Sequence, residues 1–178
     1  MSNNYISYIK KHQEYFFSTD DVDVTVLRGQ LLLEEFLTKI ISQFVFNSRF
    51  ITSSKLTFSQ KTHIARAISL DECENSMWTM ISSINQLRNE LVHKLPSENS
   101  DLKLKKLQQL YEKEADGSEF KMVFIEHGQL RGIQFSVVMC IGFLSSFLEE
   151  VYRVRNMVNE LDKISNPHRY KDRKNEEK

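Results

Sequence analysis

Glycine, proline and cysteine are all scarce in this chain, at 5, 2 and 2 of 178 residues. So few turn formers, with no turn-rich period of about 8–12 residues, disfavour an all-β fold. Cys73 and Cys140 cannot build a disulfide framework, and no secretory signal opens the chain. The expected compartment is therefore a reducing cytoplasm. Neither sign of charge dominates, because Lys+Arg and Asp+Glu both number 24. That balance argues against a nucleic-acid coat over the whole surface, although a local basic patch stays open. There is no Walker loop, no dinucleotide-binding glycine pattern and no cysteine-rich zinc spacing, so neither a cofactor nor a metal is expected. The most apolar run, Ile133 to Leu148, is interrupted by Gln134, Ser136, Gly142, Ser145 and Ser146. A spanning helix needs roughly 20 mostly apolar residues. A buried core helix is expected instead, with no membrane partner.

What the chain does contain is helical periodicity. Its length suits one domain with a substantial core. Residues 1–164 read as one helical domain and 165–178 as a charged, disordered tail. A first helix is expected over Asn3 to Phe17, rich in Tyr and Phe that pack on the bundle. Ser18 to Asp21 form a capping cluster. A long helix follows from about Val22 to Phe46, with Val24, Leu27, Leu31, Phe36, Ile40 and Phe44 facing inward and Leu32, Leu33, Leu37 and Ile41 widening that face. Gly29 inside it offers a place for another helix to approach. Residues 47–55 read as a polar connection, and Thr57 with Gln60 fits a capping box for a shorter helix to about Leu70. A short helix is expected from Leu102 to Tyr111. Residues 120–125 fit either a helical turn or an edge strand. From about Gln129 to Ile164 apolar residues keep helical spacing over roughly 50 Å of helix at about 1.5 Å per residue. That is more than a compact domain needs, so the helix either kinks near Gly142 or projects and pairs with another subunit.

One stretch, Met77 to Leu95, carries a polar constellation on an amphipathic helix. Met77, Met80, Ile81, Ile84, Leu87, Leu91 and Leu95 recur at three- and four-residue spacing. Ser76 stands before the stripe as an N-cap and Pro96 stops it. At about 100° per residue, Asn89 and His93 share a face away from the stripe, whereas Arg88 falls at its edge beside Ile84, Leu91 and Val92. A partly buried guanidinium requires a partner. Glu34 and Glu35, in the middle of the long second helix, are the carboxylates expected to meet it, and a phosphate is the functional alternative.

Arg88, a polar Asn89, three further residues and His93 resemble the Arg-x4-6-His motif of the HEPN superfamily. The preceding blocks strengthen the likeness. Arg28-Gly-Gln-Leu-Leu-Leu-Glu-Glu-Phe-Leu, then Leu56-Thr-Phe-Ser-Gln-Lys-Thr-His-Ile-Ala-Arg-Ala, then Ile84-Asn-Gln-Leu-Arg-Asn-Glu-Leu-Val-His resemble the mannitol-operon-repressor-like branch in order and spacing. The likeness covers about Val22 to Leu95. Where many HEPN nucleases carry Tyr two residues after the His, this chain has Leu95. The resemblance implies an all-α, up-and-down helical bundle and a homodimer. It also implies one of two functions. The first is a metal-independent endoribonuclease in which Arg88, Asn89 and His93 act on RNA, with Glu34 and Glu35 in support. The second is a non-catalytic regulator working through a protein partner, since no helix-turn-helix with a basic recognition helix is visible.

Overall fold

A computed structural model describes residues 15–70, 75–93 and 98–171, and every regular element among them is helical. The all-α expectation is met. In chain order the elements are α1 (Val22–Phe44), α2 (Ser48–Ser53), α3 (Phe58–Ile68), α4 (Ser76–His93) and α5 (Glu98–Glu114), followed by α6 (Ser118–Lys121), α7 (Val123–Glu126), α8 (Gly128–Ser165) and α9 (His168–Lys171). Residues 15–17 are also helical, while the rest of the expected first helix lies outside the described residues.

Local chemistry sets the boundaries. The Asp21 side chain accepts from the Val24 amide at 3.0 Å and starts α1. Thr57 and Gln60 close a reciprocal capping box over α3, as their spacing predicts. Asn75, rather than Ser76, caps α4 by accepting from the Met77 amide at 2.9 Å. Ser76 instead hydrogen-bonds Glu114 across the bundle. Gly117, at φ 90°, makes the turn after α5. The ambiguous 120–125 region resolves into α6 and α7, and the 47–55 connection contains α2.

The core is organised around α1 and α8, which lie side by side. They run in the same direction, because Gly29 meets Val137 at one end while Phe46 sits under Arg155 at the other. A Cβ on Gly29 would lie 2.6 Å from Val137 Cγ2, so the missing side chain is what permits this approach. Inward from α1 come Val26, Leu33, Leu37, Ile40 and Ile41, all fully buried. Leu27, Leu31 and Phe44 are exposed, contrary to expectation. The apolar face of α1 is wider than one stripe, and the side that packs is centred on the adjacent pairs Leu32–Leu33, Phe36–Leu37 and Ile40–Ile41. α4 and α5 form an antiparallel hairpin tied by Ser76 to Glu114 near one end and by Lys103 to Glu90 at 2.6 Å towards the other. Trp78 fixes the hairpin to α8, meeting Phe143 and Phe147 edge-on at 5.1 and 5.9 Å.

α8 is one uninterrupted helix, with no break at Gly142. By length and composition it is apolar enough to cross a membrane, but 61% of its apolar window is buried inside the bundle. Past its end, residues 166–171 do not continue as a loose tail. α9 folds back, and Asp162 accepts from Tyr170 Oη at 2.7 Å, Asn166 Nδ2 at 2.7 Å and Arg169 Nη1 at 3.0 Å. The remainder of the expected tail lies outside the described residues.

Candidate functional site

α4 presents Arg88 as its stripe predicts. Met77, Met80, Ile81, Ile84 and Leu87 are buried, and Arg88 sits half-buried next to them. Its Nε is withdrawn from solvent and has no hydrogen-bond partner among the described residues. Its Nη1 donates to Asn89 Oδ1 at 3.1 Å, on an exposed part of the helix. A buried donor without an acceptor is costly, at about 1–3 kcal/mol and more for a charged group. Among the described residues no acceptor meets this donor.

The carboxylates expected to fill that role are occupied elsewhere. Glu34 accepts from Lys61 Nζ at 2.8 Å and from Gln30 Nε2 at 3.0 Å. Lys61 comes from α3, which crosses α1 at this level. Glu35 lies on the outer side of α1 and pairs with Lys39 one turn on, at 2.7 Å. Arg28, in the first of the resembling blocks, has a structural task. It donates to the Tyr15 carbonyl and to Ser18 Oγ, with its guanidinium 4.3 Å from the Tyr15 ring centre.

His93 is the last residue of α4, and its side chain lies outside the described residues. Its place on the helix is nonetheless informative. Position 93 falls about 140° round the axis from position 88, and about 40° from position 89. The helix thus groups Asn89 with His93 and sets Arg88 apart. A single copy of α4 does not aim the cation and the imidazole at one point by backbone geometry alone.

A second guanidinium has the same signature. Arg155 on α8 lies with Cζ 3.5 Å from the Phe46 ring centre, and its buried Nη1 also lacks an acceptor among the described residues. It borders a groove of about 770 Å³ between the end of α8, α9 and the Phe46–Asn47 turn. Lys163 and Arg169 also line this groove, but Glu160 and Asp162 pair with them. Arg155 stands beside Val154 where the apolar spacing of α8 passes. The signal that singled out Arg88, a guanidinium at a stripe position, applies equally here.

Among the described residues no group of three or more His, Cys, Asp or Glu gathers as metal ligands would. Cys140 is fully buried, and burial raises its thiol pKa far above the ordinary value, so it is an inert core residue. His63 is exposed and its Nδ1 bonds the Ser59 carbonyl at 2.7 Å one turn back, a local contact.

The fold and these side chains define a helical bundle with two half-buried, incompletely satisfied arginines. Comparison with protein-family models, with curated proteins and with solved structures finds no match to this chain.

Proposed function

We propose that this protein is a HEPN-like, metal-independent endoribonuclease that acts as a homodimer through Arg88, Asn89 and His93. The observation that carries the reading is the Arg88 Nε, withdrawn from solvent with no acceptor among the described residues, on the same helix as an Asn–His pair one turn apart. In this reading His93 takes the proton from a ribose 2′-hydroxyl as that oxygen attacks its own phosphodiester. The bond from phosphorus to the 5′-oxygen breaks, and a second imidazole protonates the departing oxygen. The product ends are a 2′,3′-cyclic phosphate and a free 5′-hydroxyl. Histidine suits both proton transfers because its ordinary pKa lies near neutrality. Arg88 stabilises the charge that builds on the phosphorane. The separation of positions 88 and 93 around α4 supports a shared site, in which a second subunit supplies the other imidazole.

The test is cleavage of single-stranded RNA by purified protein in excess EDTA. His93→Ala is expected to lower the rate by roughly 10²–10⁴-fold with fold and mass unchanged. Arg88→Lys keeps the charge but loses the planar fork, so cleavage is expected to fall far more than RNA binding. Absence of any cutting by the wild-type protein would sink the proposal.

One observation favours a second reading, a non-catalytic regulator acting through protein contacts. The last turns of α8 expose Met157, Leu161 and Ile164 on one side. Under that reading Arg88 is structural, and Arg88→Ala lowers the melting temperature while no variant cuts RNA.

A further inference from the structure

The end of α8 has two unlike sides. Arg155, Asp162 and Asn166 form one side, covered by Phe46 and by α9 folding back. On the opposite side, at about 100° per residue, stand Met157, Leu161 and Ile164. They are 65%, 58% and 77% exposed, high values for large apolar side chains. Arg153 and Glu160 lie on one flank of this strip and Val154 lies on the other, all by the same rotation. Both charged residues are exposed, and the ion pair of Glu160 with Lys163 is itself solvent-exposed, leaving Glu160 open to a further cation.

We infer that this strip is an interface with a second copy of the same chain, in which the two α8 ends pair antiparallel about a two-fold axis through Met157. The argument is self-complementarity. A two-fold perpendicular to a pair of antiparallel helices brings like flanks together. With Met157 on the axis, Arg153 stands within about one residue's rise, about 1.5 Å, of the level of the partner's Glu160. The symmetric pair repeats on the other side of the axis. Leu161 reaches the level of the partner's Val154 to the same tolerance, so the apolar flank closes on apolar atoms. Ile164 lies over the stems of the partner's Glu150 and Arg153. Shifting the axis by one turn in either direction separates both opposite-charge pairs, so the register is fixed by the sequence. This inference takes up the homodimer of the reading above but requires none of its RNA chemistry.

The contact spans only a few helical turns, so the dimer is expected in the micromolar range. Sedimentation of the full chain from about 1 to 200 µM is expected to show the 21.0 kDa monomer giving way to a species of twice that mass. Arg153→Glu alone and Glu160→Arg alone are each expected to weaken dimerisation about tenfold, since each reversal spoils two symmetric pairs. The double exchange is expected to restore it. Leu161→Glu, at an exposed position that leaves the monomer folded, is expected to keep the chain monomeric throughout. In a Cys73→Ser background, Met157→Cys is expected to cross-link two copies on mild oxidation, as a residue facing itself across an axis does. A wild-type monomer at every concentration overturns the inference. So does a dimer indifferent to Leu161→Glu and to the charge reversals, because it would use another face. The readout is mass alone, so loss of RNA cleavage with the dimer intact would count against the nuclease and not against this interface.

Discussion

The two halves of α8 share one sequence pattern and meet different fates. Between Gly132 and Val151 the helix has twelve buried residues, among them Ile133, Val137, Ile141 and Leu144. Beyond Val151 it has none, although Val154, Val158 and Leu161 keep the same spacing. The reason is the neighbour. α1 stops at Phe44, and Phe44 borders the same small pocket as Phe147, Val151 and Val154. Past that level, among the described residues, the Phe46–Asn47 turn and α9 lie beside α8. Periodicity therefore specifies which side of a helix is apolar, and the length of the partner decides whether that side is covered.

The largest expected contrast is between core and overhang within this one helix. Leu144→Ala removes a fully buried side chain and is expected to cost about 2–5 kcal/mol in denaturant unfolding. The same change at Leu161 in the monomer is expected within about 0.5 kcal/mol of wild type. Comparable losses at both positions at low protein concentration would show that the overhang is packed in the monomer, and the distinction between the halves would fail.

The same contrast explains how far the sequence could be read. The long helices, the Thr57–Gln60 capping box and the buried stripe of α4 were legible, because each depends on neighbours within one or two turns, whereas Gly29 marked a place for a close approach without naming Val137 as its neighbour. The exposure of Leu27 and Leu31 was not, since it depends on which side of α1 faces α8. The engagement of Glu34 by Lys61 was not legible either, because it joins α1 to α3 across 27 residues. At the candidate site, the half-burial of Arg88 followed from the stripe, but the engagement of Glu34 and Glu35 by other cations needed the tertiary arrangement. Arg155 was not legible, because its engagement with Phe46 joins the end of α8 to the turn after α1. The α9 hook was missed because Asp162, Asn166 and Tyr170 act through a turn that charge composition does not show.

A smaller effect, still within the buried half, is expected at Gly132. A Cβ there would lie 2.3–2.4 Å from the Phe124 ring, inside any normal contact. The near edge of a ring cannot swing away as a flexible chain end does. Gly132→Ala is expected to cost about 1–3 kcal/mol through overpacking, despite the gain in helix propensity. Combining it with Phe124→Leu should relieve much of that cost, giving a non-additive cycle. Additive effects in thermal or denaturant unfolding would mean that the α7–α8 contact is not the constraint. Gly29→Ala is expected to be destabilising as well, because its Cβ would lie 2.6 Å from a methyl of the fully buried, β-branched Val137.

The smallest effect belongs to the overhang and depends on pH. The Asp162 carboxyl is held below its ordinary pKa chiefly by the hydrogen bond from Tyr170, then by that from Asn166, against an opposing effect of burial, with smaller help from the charges of Arg169 and His168. A depressed folded-state pKa means that the ionised form holds α9 in place. Its contribution is present above the ordinary carboxyl range and is lost as pH falls through the lowered value. Because the group is only partly buried, solvent screens the interaction and the change should be local. Amide exchange in α9 is expected to be slow at neutral pH and to quicken in acid, with the core of α8 unaffected until the whole chain unfolds. Asp162→Asn should give fast exchange in α9 at neutral pH and remove most of this acid dependence. Equal protection of α9 in wild type and Asp162→Asn at neutral pH would show that the turn at 166–167, and not the carboxylate, holds the hook closed.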